Sequence, residues 1–147
     1  PNPPFDLFDQ QFKIFTHPRF LPCSHISDSK LKNVLIGEGC YIEAAEIEHS
    51  VIGVRSRIKE GSRIHNTVMM GSDYFKDSGE YPLGIGKSCD VDGAIIDKNV
   101  SMGDNVVIRP FPPNANVDHF LYYVRDGVVI IPKNMNLPSG TVIKPES

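Results

Sequence analysis

Five histidines and three cysteines hold the acid–base, nucleophilic and metal-binding capacity of this 147-residue chain. A zinc site needs three or four such side chains converging on one point, usually announced by close Cys-x-x-Cys or His spacings. Cys23, Cys40 and Cys89 are too widely spread for that, and no histidine completes a ligand pattern with them. Their odd number points to free thiols in a reducing compartment and to small apolar side chains in or near the core. His17, His25, His49, His65 and His119 read as surface or turn residues. His49 and His65 are 16 positions apart, a separation suited to stacking rather than to three imidazoles meeting at a metal. With 15 basic and 18 acidic residues the chain has a formal charge of −3 and no two adjacent basic residues. Neither nucleic acid nor an anionic membrane surface is an expected partner. No apolar stretch approaches the roughly 18 residues that span a bilayer.

The elements that must position these groups follow from a repeat. Aliphatic residues recur at Ile36, Ile42, Ile47, Ile52, Ile58 and Ile64, then Met70, five or six positions apart, with polar residues between them. The period restarts at Ile85, Val91, Ile96, Met102 and Ile108, and a last fragment holds Ile131, Leu137 and Val142. A helix would repeat at three and four positions and a simple strand at two, so neither accounts for it. One large inward residue per short strand, with a corner after each, is the requirement of a parallel β-helix, in which each coil buries its inward side chains against the next. Gly follows the aliphatic residue in Ile36-Gly37, Ile52-Gly53, Met70-Gly71, Ile85-Gly86 and Met102-Gly103, and the expected reason is a backbone φ that other residues resist. An antiparallel sandwich is disfavoured because Asp92-Gly93 and Asp126-Gly127 are the only hairpin-type turn signals.

Two stretches break the period. Ser72 to Gly84 is polar with interspersed aromatic residues, of which Tyr74, Phe75 and Tyr81 are expected to pack in a subunit contact or to anchor the loop. Arg109 to Arg125 contains Pro110, Pro112 and Pro113, which cannot donate ladder amides. Both read as loops leaving the coils. Residues 1–30 lie outside the repeat and carry Phe5, Phe8, Phe12, Phe15 and Phe20, an aromatic load that calls for a surface to cover, either the open first coil or another domain or subunit. The expected organisation is an N-terminal linker or cap at 1–30 and an all-β parallel β-helix at 31–147. Residue 1 is Pro and the first 11 residues show no basic or apolar leader pattern, so no targeting segment is expected, and the chain reads as processed or as a piece of a longer one.

Five ordered motifs then carry a family resemblance: THPRFLP (16–22), HSVIGVRSRI (49–58), VMMGSDYF (68–75), AIIDKNVSMGDNV (94–106) and YYVRDGVVIIPKN (122–134). Together they resemble the C-terminal domain of ADP-glucose pyrophosphorylase, glucose-1-phosphate adenylyltransferase, of the plant and cyanobacterial branch, leaning toward the plant large subunit. The resemblance implies a left-handed parallel β-helix attached to a nucleotidyltransferase domain that makes ADP-glucose and pyrophosphate from ATP and glucose 1-phosphate with Mg²⁺. No Gly-rich nucleotide loop occurs in these residues, so the chain alone is expected to be inactive and to need no cofactor of its own. Its implied partners are its own catalytic domain, the other subunits of a tetramer, and the anionic effectors 3-phosphoglycerate and inorganic phosphate. The implied location is the plastid stroma in a plant, or the cytoplasm in a bacterium.

Carried over residue by residue, the family's effector site falls on Lys98 of IIDKN with the preceding Asp97, on Lys133 of the last motif, and on Arg125 as a supporting cation. Lys98 and Lys133 each stand two positions after an inward residue, Ile96 and Ile131, and so share one phase of the repeat. On neighbouring coils, about 4.8 Å apart, two such ammonium groups can clamp one phosphate. The sequence departs from the family in a short first loop, in Arg109-Pro110-Phe111-Pro112-Pro113, and in Pro132, which removes a donor beside Lys133. The rival reading is a freestanding trimeric hexapeptide-repeat acyltransferase, with His119 as its general base.

Overall fold

The computed structural model describes residues 4, 6–76 and 80–146, which form sixteen short strands and no helix. In chain order these are β1 (His25–Ser27), β2 (Lys30–Ile36), β3 (Tyr41–Glu43), β4 (Glu46–Ile52), β5 (Arg57–Ile58), β6 (Arg63–His65), β7 (Val68–Met69) and β8 (Asp90–Asp92). They continue as β9 (Ala94–Ile96), β10 (Ser101–Met102), β11 (Val107–Ile108), β12 (Val117–Asp118), β13 (Tyr123–Arg125), β14 (Val128–Ile131), β15 (Asn136–Leu137) and β16 (Val142–Ile143). Pairing is parallel throughout the coils, and the registers stack the inward residues in three columns. Ile26, Ile42 and Ile58 pair in the first, which runs on through Ile85 and the Met102–Leu137 pair. The second holds Leu31, Ile47, Ile64, Val91, Ile108 and Ile143. The third holds Ile36, Ile52, Met69, Ile96 and Ile131. The chain is a three-faced parallel β-helix whose core is these columns, and most of their members are under 3 % exposed.

The corners are of two kinds, and in one the backbone enters the left-handed region two residues after an inward side chain, at Asp28, Asn33, Ala44, His49, Asn66 and Gly93. In the other it does so three residues after an inward side chain, at Gly39, Arg55, Gly61, Ser88, Asn99, Asn105, Asn134 and Gly140. The glycines directly after inward residues do something else. Gly53 has no positive φ, but a Cβ on it would stand 2.4 Å from the Met70 carbonyl oxygen, so close approach of the next coil, not backbone freedom, excludes a side chain there. Gly71, which follows the exposed Met70 and so stands two positions after the inward Met69, does have a positive φ, +90°.

Four further expectations are corrected. Met69 and Ile143 are the inward residues, while Met70 and Val142 are 46 % and 56 % exposed, because coil register and not the count of six sets the phase. The β-helix begins at β1, ahead of residue 31, since His25 to Ser27 already pairs with Tyr41 to Glu43. The second excursion is not only a loop: β12 and β13 pair antiparallel, and β13 joins β14 through Asp126-Gly127, both with positive φ as a type I′ turn requires. Asp92-Gly93, by contrast, turns a coil corner between β8 and β9. Phe8, Phe12, Phe15 and Phe20 are 79–97 % exposed and cover no coil; Phe5 lies outside the described residues.

Pro132 now has a physical account. In earlier coils the residue after the third-column side chain donates its amide to the following coil, as Gly53 does to Met69 and Asp97 to Ile131. Among the described residues no coil follows on that face at Pro132, so a residue without an N–H ends the ladder there at no cost in hydrogen bonds. Pro138 stands in the same relation to the first column, following Leu137, whose carbonyl accepts from Gly103.

Candidate functional site

The site is built where three successive coils turn the same corner. The segments are 71–73, 97–99 and 132–134. Asn99 donates its amide to the Gly71 carbonyl at 3.1 Å and Asn134 donates to the Lys98 carbonyl at 2.9 Å, which stacks the three segments vertically. Asn99 and Asn134 take the left-handed corner conformation, with φ of 60° and 62°. Asn tolerates this better than most side chains, which accounts for a Lys-Asn dipeptide in both motifs.

Lys98 Nζ donates to Asp73 Oδ1 at 2.9 Å, and Lys133 Nζ lies 3.7 Å from Asp73 Oδ2. Asn99 completes the grip: its Nδ2 donates to Asp73 Oδ2 at 3.0 Å and to Asn134 Oδ1 at 3.3 Å, while its Oδ1 accepts from the Asp73 amide at 2.7 Å. The hydrogen bond from Lys98, ahead of that from Asn99, holds the Asp73 carboxyl below the usual carboxylate range. The two lysines of shared phase, Lys98 half-buried and Lys133 exposed, thus address one carboxylate with both ammonium groups. Chemically this is an anion-binding constellation: two cations and an amide N–H₂ converging on a planar pair of oxygens.

The other expected site residues are placed differently. Asp97 turns its Oδ1 back to accept from the Lys98 amide at 2.6 Å, so it shapes the corner beside the pair. The Arg125 guanidinium donates to Asp118 Oδ1 at 2.6 Å and to the Val117 and Val124 carbonyls, and lies over the Tyr123 ring. Its contacts stay within the β12–β13 hairpin rather than joining the lysines. Sequence reasoning missed Asp73 and Asn99. Asn99 was open to notice as the repeat of Lys-Asn in both motifs, whereas Asp73 sits in an aperiodic loop.

Outside this corner the histidines do not gather. His65 aligns with Glu48 and Asp92 across the strands, not with His49, because the coil there is 17 residues long. His49 Nδ1 faces Asn66 Oδ1 at 3.1 Å, and Asn66 donates to Asp92 at 2.9 Å. His119 stacks on Tyr122 and meets Phe120 at a tilt, and its Nδ1 accepts from the Leu121 amide at 3.2 Å. Cys40 and Cys89 are buried, with thiols pushed up by burial, while Cys23 is exposed. Among the described residues no group of three or more His, Cys, Asp or Glu side chains is placed to hold a metal ion. No helix is long and apolar enough to cross a membrane. On the outer first face, a groove of about 690 Å³ lies between Pro22, His25, Tyr41, Arg57 and Phe75.

Residues 19–142 match the GLGC left-handed parallel β-helix domain. The chain belongs to that family. Along 97 % of its length, over 160 aligned positions, it is 41 % identical to "Glucose-1-phosphate adenylyltransferase small subunit, chloroplastic/amyloplastic" of Triticum aestivum. The chain spans about a third of that curated relative, 33 % of its length. The family resemblance read from the motifs therefore holds for the C-terminal β-helix of glucose-1-phosphate adenylyltransferase, and the left-handed fold with it. The relative is a small subunit, where the motifs lean toward the large one, so the match carries the enzyme family and not the subunit type. In this GLGC β-helix, the lysine pair occupies the corner after the third face, against Asp73 of the first excursion.

Proposed function

We propose that the chain is the regulatory and assembly portion of a glucose-1-phosphate adenylyltransferase, and that Lys98 and Lys133 receive its anionic effector. The parent enzyme joins ATP and glucose 1-phosphate into ADP-glucose and pyrophosphate, supplies starch or glycogen synthesis, and works as a tetramer, in the plastid when the source is a plant. Nucleotide, Mg²⁺ and sugar phosphate belong to its catalytic domain. The β-helix contributes subunit contacts and the effector site for 3-phosphoglycerate and inorganic phosphate.

One observation carries this reading: two lysines from different coils converge on a single carboxylate. The Asp73 carboxylate stands for the carboxylate or phosphate oxygens of such an effector, and the spacing suits a ligand with two acceptor oxygens. An effector site contributes ligand affinity and coupling to the catalytic domain, not chemistry. The test is a 3-phosphoglycerate titration of the full-length protein and of its Lys98→Ala and Lys133→Ala variants, reading pyrophosphate release. Half-activating concentrations rise in the variants if the reading holds; unchanged values remove both lysines from the site.

A further inference from the structure

We infer that Asp73 is a built-in competitor for the effector, a tethered carboxylate that fills the lysine pair until a phosphate- or carboxylate-bearing ligand displaces it. The inference rests on the effector-site reading above and adds how that site is gated. Three side chains, Lys98, Lys133 and Asn99, point their donors at the two oxygens of Asp73. A dianion within hydrogen-bonding reach of both ammonium groups would lie in contact with that carboxylate, and like charges at contact distance exclude each other. Ligand and Asp73 therefore occupy the pair in alternation.

Displacement has a defined consequence, because Asp73 is part of a strap. Its amide is held by Asn99 Oδ1 at 2.7 Å. On one side the Ser72 carbonyl accepts from Arg55 Nη1 at 3.2 Å, and on the other the Phe75 carbonyl accepts from Arg57 Nη2 at 2.6 Å. The Arg55 guanidinium lies 5.5 Å from the Phe75 ring centroid, and Phe75 forms one wall of the groove on the first face. Withdrawing the Asp73 carboxylate removes its contacts with Lys98, Lys133 and Asn99 Nδ2, and leaves the strap held by the Ser72 amide on the Val54 carbonyl, by the Asp73 amide on Asn99 Oδ1 and by the two arginines. The structure thus links ligand entry at Lys98 and Lys133 to the position of Phe75 over the Tyr41 and Arg57 groove. A two-state element of this kind shifts only as far as the ligand prefers the open state.

The test uses inorganic phosphate and the full-length protein. Phosphate affinity is measured by calorimetry for the wild type, Asp73→Asn and Lys98→Ala, and amide hydrogen exchange is followed in the unmutated protein with and without phosphate. Asp73→Asn keeps the shape and loses the charge. It is expected to bind phosphate about tenfold more tightly, the factor that applies when the filled form holds roughly nine-tenths of the population. Lys98→Ala is expected to bind it more weakly. Phosphate is expected to speed exchange severalfold at the amides of Asp73 to Phe75, a readout that needs no variant to fold. Tight binding by Asp73→Asn with none detectable in the wild type supports the proposal as well. Equal or weaker binding by Asp73→Asn, with Lys98→Ala still impaired, overturns the competitor and leaves the effector site standing; unchanged exchange at Asp73 to Phe75 overturns it also. Absence of phosphate binding in both the wild type and Asp73→Asn overturns the effector site, and the competitor with it.

Discussion

Lys98 and Lys133 stand on adjacent coils, two residues past the paired Ile96 and Ile131, and bring their ammonium groups to opposite oxygens of one carboxylate. The pairing is unequal. Lys98 is at hydrogen-bond distance, 2.9 Å, and Lys133 at 3.7 Å is a looser electrostatic neighbour.

That inequality sets the first prediction. Losing one charge-assisted contact costs about 1.5 to 3 kcal/mol, so Lys98→Ala raises the half-saturating concentration of 3-phosphoglycerate roughly 10- to 150-fold. Lys133→Ala produces a smaller increase. Lys98→Arg restores part of the loss, since a planar fork does not reproduce a compact ammonium. Titrations of the three full-length variants check the order, and a larger effect at Lys133 would contradict it.

A second prediction separates the two tasks of glycine. At Gly53 a Cβ would meet the Met70 carbonyl oxygen at 2.4 Å and the Met69 carbonyl oxygen at 2.7 Å, whereas at Gly140 it would meet open space with φ at +76°. Gly140→Ala costs about 1 to 2 kcal/mol of left-handed strain. Gly53→Ala costs more, because backbone on the next coil must move. Chemical denaturation of both variants gives the comparison, and equal costs would mean that the coils separate freely.

The third concerns phase. Met69→Asp places an unpaired carboxylate in the core, at a cost of several kcal/mol comparable to the stability of a small domain, and the protein is expected to unfold or become insoluble. Met70→Asp, one residue on and exposed, changes stability by about 0.5 kcal/mol or less. Thermal midpoints that fall equally would show that the inward position is misassigned.

A fourth is a pH dependence. The Asp73 carboxyl is held low in the folded chain by Lys98 and Asn99. Its contribution to stability is therefore complete above the unfolded value of about 3.9 and is lost as pH falls through the lower folded value. Asp73→Asn removes this part of the acid limb. Thermal midpoints in phosphate-free buffer, compared between pH ~6 and ~2.5, should fall less steeply for the variant than for the wild type.

The β-helix was legible because its signal is local. An inward side chain every five or six residues repeats Ile, Val, Leu and Met against polar neighbours, and burial of Ile42, Ile58, Ile96 and Ile131 follows from that spacing alone. The pattern failed by one residue at Met69 and Ile143. There two adjacent apolar residues satisfy the composition equally well, and only the hydrogen-bond register to Ile52 and Ile108 chooses between them.

Sequence also determined that Lys98 and Lys133 share a phase, since each follows its inward residue by two positions. Tertiary structure decided what they hold. Asp73 lies 25 positions before Lys98 and in a stretch with no period, so nothing local marks it. Antiparallel pairing decided the fate of Arg125, turning it onto Asp118 within a hairpin that the prolines of the second excursion had concealed. The physical reason is related in both cases: a burial pattern is written along the chain, whereas a charge finds its partner through space, across coils for Lys98 and Lys133 and across a hairpin for Arg125, once the strands have paired.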